Sequence, residues 1–353
     1  MMQGKQLALL AVALCFCEET TANETNISFA DNNVKSLCVE HWDSDGDGEL
    51  SIEEATGVTT LGSVFRENNN IVTFEELRYF TGLTSINEYA FYKSSIQKVT
   101  FPSSVTEIGE YAFSESNISG ELIIPGTVKE IKNYAFYSCR RLTSVVFEEG
   151  VETIGWHSLS GPIGTLVLPA SLVFMKSMAI DPYVNADPSS GIFIPEGHLW
   201  VFVRGETPAA IDDFAFYLLS ESGHLVVPVG ALEAYSTDSR WAHFTHYLTV
   251  GDVNEDGILD DSDLSAIENF ISSGESEFNP LLSDVNFDGV TDGKDVDYLK
   301  NYIESSTGVN SISLTPVDTR IYTIDGRCLP DKADVSSLPH GIYISNGRKF
   351  IVK

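Results

Sequence analysis

Residues 43–54, DSDGDGELSIEE, place six carboxylates in twelve positions. Charges of one sign so close together repel unless a cation sits among them. Asp43, Asp45 and Asp47 stand at positions 1, 3 and 5, Gly48 at position 6 and Glu54 at position 12. Glu49 offers a backbone carbonyl at position 7, Leu50 an apolar anchor at 8 and Ser51 a hydroxyl at 9. Calcium takes roughly six to eight hard oxygens, and a flexible acidic loop in this order supplies them. Glycine at position 6 permits the sharp turn. The series returns twice. Asp252, Asn254, Asp256, Ile258, Asp260 and Asp263 fill positions 1, 3, 5, 7, 9 and 12, and Asp284, Asn286, Asp288, Val290, Asp292 and Asp295 repeat them 32 residues on. The three loops hold six, six and four acids, 16 of the chain's 51. About three calcium ions are therefore expected, with metal binding linked to local folding.

The elements around the loops separate them into two kinds. Before the first, Val34, Leu37, Cys38 and Trp42 recur at helical spacing, and IEEATGV after it continues as a helix. This helix–loop–helix resembles an EF-hand over residues 30–80. The segment IVTFEELRYF reads as a second half-hand, a short strand then a helix capped at Thr73 with Glu76 three residues on. Each distal loop runs straight into one amphipathic helix, LSAIENFI or VDYLKNYI. This paired loop-plus-helix over 251–306 resembles a type I dockerin, which implies calcium and a cohesin-like partner. Positions 10 and 11 are Asp261–Ser262 and Gly293–Lys294, where that family repeats a Ser-Thr pair.

Between these modules the chain repeats itself. LTSINEYAF, VTEIGEYAF, VKEIKNYAF and VETIGWHSL put Ile at 86, 108, 131 and 154, intervals of 22, 23 and 23. Ala90–Phe91, Ala112–Phe113 and Ala135–Phe136 follow at fixed offset; Ser158–Leu159 is a weaker copy, Met175 with Ala179–Ile180 a degenerate one, and Ile211 with Ala215–Phe216 a late one after an insertion. Short strands ending near Pro, such as VTFP, LIIP and LVLP, lie between. A strand and a short helical turn per repeat predict a solenoid over 81–250, with the Ile, Ala, Phe and Cys139 positions in its core. The pattern resembles the adhesin-type leucine-rich repeats of bacterial surface proteins. That resemblance implies a terminal cap sealed by Tyr235, Trp241 and Phe244. Tyr89, Tyr92, Tyr111, Tyr134 and Tyr137 recur beside the core Phe. They are candidates to stack on a sugar or a partner protein, or to be half-buried packing between turns.

Lys+Arg number 21 against 51 Asp+Glu, a net charge of −30, which argues against nucleic acid and anionic membrane surfaces as partners. One Lys followed by an apolar run from Leu7 to Cys17 reads as a signal peptide over 1–22, and no later stretch reads as a membrane span. Outside it only Cys38, Cys139 and Cys328 remain, too few for a disulfide framework. The tail, 311–353, predicts a small β-sandwich with turns at Asp325–Gly326 and Asn346–Gly347. It resembles the C-terminal sorting domain of type IX secretion substrates, with Gly341, Tyr343, Lys349 and Lys353 matching its signature. Secretion to the bacterial outer surface is implied.

Motifs for catalysis are sparse. There is no G-x-S-x-G, phosphate loop or H-E-x-x-H, and His243 and His246 lack further ligands for zinc. The expected fold is a mixed α/β multi-domain chain: a leucine-rich-repeat solenoid with an EF-hand cap, a dockerin-like α module and a small C-terminal β-sandwich. The expected function is calcium-dependent recognition at the cell surface, not catalysis. A solenoid face would bind a glycan or protein while the dockerin-like module docks. The alternatives are a non-catalytic component of a polysaccharide-degrading complex and, behind it, a glycoside hydrolase.

Overall fold

The computed structural model describes residues 25–182, 199–217, 223–244 and 246–306, together with three strands of the tail. Two parallel six-stranded ladders run the length of a solenoid. The short-strand ladder comprises Ser85–Ile86, Glu107–Ile108, Glu130–Ile131, Thr153–Ile154, Phe174–Met175 and Ala210–Ile211. Its register aligns Ile86, Ile108, Ile131, Ile154, Met175 and Ile211, so the sequence repeat is the spatial repeat. Each of these side chains is buried.

The second ladder carries the longer strands Ser119–Ile124, Arg141–Phe147, Thr165–Leu168, Trp200–Val203, His224–Val227 and His246–Thr249. Between the ladders the repeated phenylalanines stack: Phe65 on Phe91 at 5.2 Å, Phe91 on Phe113 at 4.8 Å and Phe113 on Phe136 at 5.0 Å. No single repeat could bury such a ring; stacked repeats bury it from both sides. Cys139 joins this core as expected, with burial pushing its thiol pKa up to about 12 against the counter-effect of Ser116.

The helical turn expected in each repeat does not form. Tyr89, Tyr111 and Tyr134 have φ of +56°, +55° and +59°, which interrupts any right-handed run. Alternate amides are spent on the next repeat instead: Tyr89, Phe91 and Lys93 donate to the carbonyls of Glu110, Ala112 and Ser114. Satisfying backbone groups between turns thus replaces satisfying them within a helix.

The N-terminal end is covered by helices α1, Asn32–Trp42, and α2, Ile52–Gly57. Val34, Cys38, Leu50 and Ala55 continue the array's core, and Trp42 contacts Phe65 and Phe80 at 6.0 and 5.5 Å. The second half-hand is not built as expected. Its helix is a 3-10 turn, Glu75–Tyr79, preceded by Phe74 with no side-chain cap. Thr73 and Phe74 are instead committed as a strand to Lys98–Val99 of the first repeat. At the far end, α3, Leu232–Thr237, brings Tyr235 and Trp241 over the last repeat. Tyr235 donates to Gly205 O at 2.9 Å and Trp241 to Ala209 O at 3.0 Å, and Phe244 packs on Phe216 at 5.1 Å.

The last long strand, His246–Thr249, reaches Asp252 with no linker. Helices α4, Asp261–Ser273, and α5, Gly293–Ser306, then pack on the outer side of the long-strand sheet. Val250, Val253, Ile267, Leu282, Val285 and Leu299 share one core with Val167, Phe202 and Val226 of the array. In the tail, Ile321–Thr323, Gly341–Ser345 and Arg348–Val352 form one antiparallel three-stranded sheet, and a second sandwich layer is not among the described residues. The expected signal peptide, the 325–326 and 346–347 turns and Lys353 lie outside the described residues. Among those described, no helix is long and apolar enough to cross a membrane.

Candidate metal centres and recognition faces

The first loop gathers Asp43, Asp45 and Asp47, whose nearest carboxylate oxygens lie within 4.8 Å of one another. Backbone amides fold it: Gly46 and Gly48 donate to the two oxygens of Asp43 at 2.6 and 2.9 Å, and Glu49 donates to Asp47 at 2.7 Å. Gly48 has φ +85°, as position 6 requires. Glu54 closes the loop by accepting from Ser51 and Ser44, backbone and hydroxyl in each case. Burial would raise its pKa, but these four donors outweigh it and hold the carboxyl down at about 2. Positions 7 to 9 do not meet a sister loop. Ile27 donates to Leu50 O and Ser51 bridges Asn26, so the preceding chain takes the sister's place.

The distal loops repeat this pattern with a drier closure. Gly257 donates to Asp252 at 3.0 Å and Ile258 to Asp256 at 2.8 Å; Gly289 donates to Asp284 at 3.0 Å and Val290 to Asp288 at 3.0 Å. The position-12 residues Asp263 and Asp295 are fully buried and accept backbone amides from Val253, Asn254 and Asp260, and from Asn286 and Asp292. Asp260 caps α4 through Ser262. Burial holds the carboxyls of Asp252, Asp263 and Asp284 above the usual range. One oxygen of Asp284 is buried with no hydrogen-bond partner. An orphaned carboxylate oxygen in a ring of oxygen donors fits a hard divalent cation. One feature is invisible in the loop pattern: Lys294, at position 11, places its ammonium 3.2 Å from Asp288 and 3.4 Å from Asp292.

The five tyrosines lie together along one side of the array and are half-buried. Tyr89, Tyr111 and Tyr134 stack on one another at 4.9 and 4.7 Å, and His157 extends the column at 5.7 Å. Tyr92 and Tyr137 meet this column edge-on, and the Arg66 guanidinium lies over Tyr89 and Tyr92. Ring faces inside the column are taken up by neighbouring rings, so an incoming ligand would meet edges and hydroxyls. The long-strand sheet has a second outward row, in register: Ile123, Val146, Val167, Phe202 and Val226. Sequence reasoning missed this row and its cover by α4 and α5. The signal was present, since SVVF, TLVL, WVFV and HLVV are apolar on both faces, as a sheet buried on both sides requires.

Comparison with known families matches these two regions. Residues 63–181 match the BspA type leucine rich repeat region, in six copies, and residues 250–304 match the dockerin type I domain. The chain carries a BspA-type leucine-rich-repeat array and a dockerin type I domain. Neither is a catalytic family, and no catalytic domain is among the families matched. No curated protein matches the chain. Among solved structures, a leucine rich cell surface protein from Faecalibacterium prausnitzii A2-165 is 17% identical, over 52% of this chain and 64% of that one, with a TM-score of 0.20. The alignment thus spans less than two thirds of that protein.

Proposed function

We propose that this chain is a secreted, calcium-stabilised recognition protein of the bacterial cell surface. Its repeat array holds a glycan or protein ligand, and its dockerin domain docks to a cohesin-like partner. The observation that carries this reading is the continuity of the array with the dockerin: Val167, Phe202 and Val226 share one core with Ile267 and Leu299, so both modules present their surfaces as one body. In this reading about three calcium ions bind. The first takes Asp43, Asp45, Asp47, Glu49, Ser51 and Glu54, and the others take Asp252, Asn254, Asp256, Ile258, Asp260 and Asp263, and the matching 284–295 set. The first loop belongs to an EF-hand-like cap over 30–80, and the distal pair to a docking unit over 251–306. Residues 1–22 serve as a signal peptide and 311–353 as a type IX sorting domain, signed by Gly341, Tyr343, Lys349 and Lys353. The tyrosine column, Tyr89 to Tyr137, is one candidate ligand face.

Calcium calorimetry on the full chain is expected to show about three sites in the micromolar-to-millimolar range, the span of sensor and extracellular loops. No uptake in that range would remove the metal from the reading. A binding screen against matrix proteins and glycans tests recognition. The second reading, a non-catalytic part of a polysaccharide-degrading complex, is favoured by the dockerin match itself. Capture by an immobilised cohesin, with no ligand on the array, would select it.

A further inference from the structure

The spacing between the first two core isoleucines is one residue shorter than the next, 22 against 23. The extra residue falls inside a strand: five steps separate Ile96 from Phe101, and six separate Ile118 from Ile124. Gly120, at φ +70°, lies in this longer stretch. At this place the ladder splits. Lys98 and Thr100 direct their amides to Val72 O and Phe74 O, so Val99 and Phe101 face the other way. Ile124 gives its carbonyl to Glu148, so Glu121 and Ile123 face back towards them. A single bond crosses, from Ser119 N–H to Gln97 O at 3.2 Å. Beyond it no backbone hydrogen bond joins Val99 or Phe101 to Glu121 or Ile123. A cleft of about 690 Å³ opens there, lined by Glu75, Lys98, Phe101, Glu121, Ile123 and Glu148 among others.

We propose that this split edge is a strand-addition site, at which an extended, basic polypeptide segment of a partner pairs with the free edge of the 119–124 strand. The proposal gives the recognition surface proposed above a place and a partner chemistry, and it rests on that reading. Free donors and acceptors at every second residue match the period of another strand, and main-chain pairing of this kind supplies affinity without a deep pocket. The side chains define the rest. Ile123, 50% exposed, is the first member of the outward apolar row, most of which the dockerin covers. An apolar side chain of the added strand would lie beside it. Three carboxylates against one ammonium line the cleft, in a chain of net charge −30. That field selects Lys or Arg on the incoming segment and speeds its approach.

The test uses the full chain in calcium and a capped heptapeptide, Lys-Val-Lys-Val-Ile-Val-Lys, titrated by calorimetry beside its Glu-for-Lys counterpart and a version N-methylated at alternate amides. The lysine peptide is expected to bind, to weaken with salt, and to bind at least ten-fold more tightly than either control. Ile123→Pro removes an amide that faces the cleft and makes no bond to the 141–147 strand. It should cost at least ten-fold in peptide affinity while the calcium titration stays unchanged. If that variant fails to fold, the N-methylated peptide carries the same test without a mutation. Glu121→Lys should weaken binding several-fold. Equal binding of the lysine and glutamate peptides, indifference to N-methylation, or no peptide binding at all would overturn the proposal. So would self-association of the chain abolished by Ile123→Pro. A glycan or protein captured elsewhere on the array, with no peptide binding, would sink the strand-addition site and leave the recognition reading standing.

Discussion

The loop at 43–54 and the pair at 252–263 and 284–295 share one donor series and differ in what surrounds it. All three loops expose the residue at position 5, Asp47, Asp256 or Asp288, but the first is closed at position 12 by a half-buried Glu54, held as an anion by two serines. Its flanking helices belong to a core that runs on into the array through Val34, Leu50 and Phe65. The distal loops are closed by the fully buried carboxylates Asp263 and Asp295. Their helices pack on each other and, through Ile267 and Leu299, share a core with Phe202 and Val226 of the array. If calcium fills all three loops, it is expected to be an accessory to an existing core in the first and a condition for folding in the distal pair.

Chelation should separate the two most strongly. With free calcium about a thousand-fold above Kd, each occupied site adds on the order of 4 kcal/mol, so the distal pair has twice that at stake. On adding EDTA, the helical signal of 250–306 is expected to melt well below the array, while the 30–80 helices melt with the array. Melting curves followed by circular dichroism and by hydrogen exchange would show it. Simultaneous loss of both regions would mean the first loop is as dependent on metal as the others.

Next in size is the shared core. Phe202 is 2% exposed between the array and the dockerin. Phe202→Ala should cost about 3 kcal/mol, at the lower end for large-to-small core changes. In calorimetry a single transition is expected to become two, the dockerin melting first. If one transition persists at a lower temperature, the module is held by its own core rather than by the array.

On the side of the first loop the corresponding joint is Asp31. It caps α1 by accepting from Asn33 and Val34, and it also accepts from Val72 at 2.6 Å and Thr73 at 3.4 Å. Burial pushes its pKa up, but the four amides outweigh this and leave it below 3.8. A carboxyl depressed in the folded state stabilises above its unfolded value and loses that contribution as the pH falls through the folded one. Asp31→Ala should cost about 1–2 kcal/mol at neutral pH, as for other N-caps. Asp31→Asn should flatten the fall of stability below pH 3.8. An unchanged acid limb would show that other carboxylates govern it.

The dockerin region was legible in the sequence because its two loops fix residue types at set positions, acid or Asn at 1, 3 and 5 and Gly at 6. The repeat was legible for the same reason: Ile and Phe recur since each must meet its own copy one turn away. The turns were misread as helical, because the left-handed φ at Tyr89, Tyr111 and Tyr134 falls on residues that do not announce it, as glycine would. Thr73 looked like a cap because its partner strand, Lys98–Val99, is distant in sequence. The array–dockerin core was written in the runs apolar on both faces, yet a run of that kind does not name what covers it.

The smallest effect is the sharpest probe of the distal pair alone. At position 11 the 252–263 loop has Ser262, which bonds Asp260, and the 284–295 loop has Lys294, which spans Asp288 and Asp292. An ammonium between two candidate ligands competes with the incoming cation. It is also 71% exposed, so water and salt screen most of its field. Lys294→Ser is therefore expected to tighten one of the two distal calcium sites by about two- to five-fold, with the gain fading at high salt. The other site should not move. Affinity that falls instead would mean the lysine orders Asp288 and Asp292 for the metal, and the two loops would then differ in preorganisation rather than in charge.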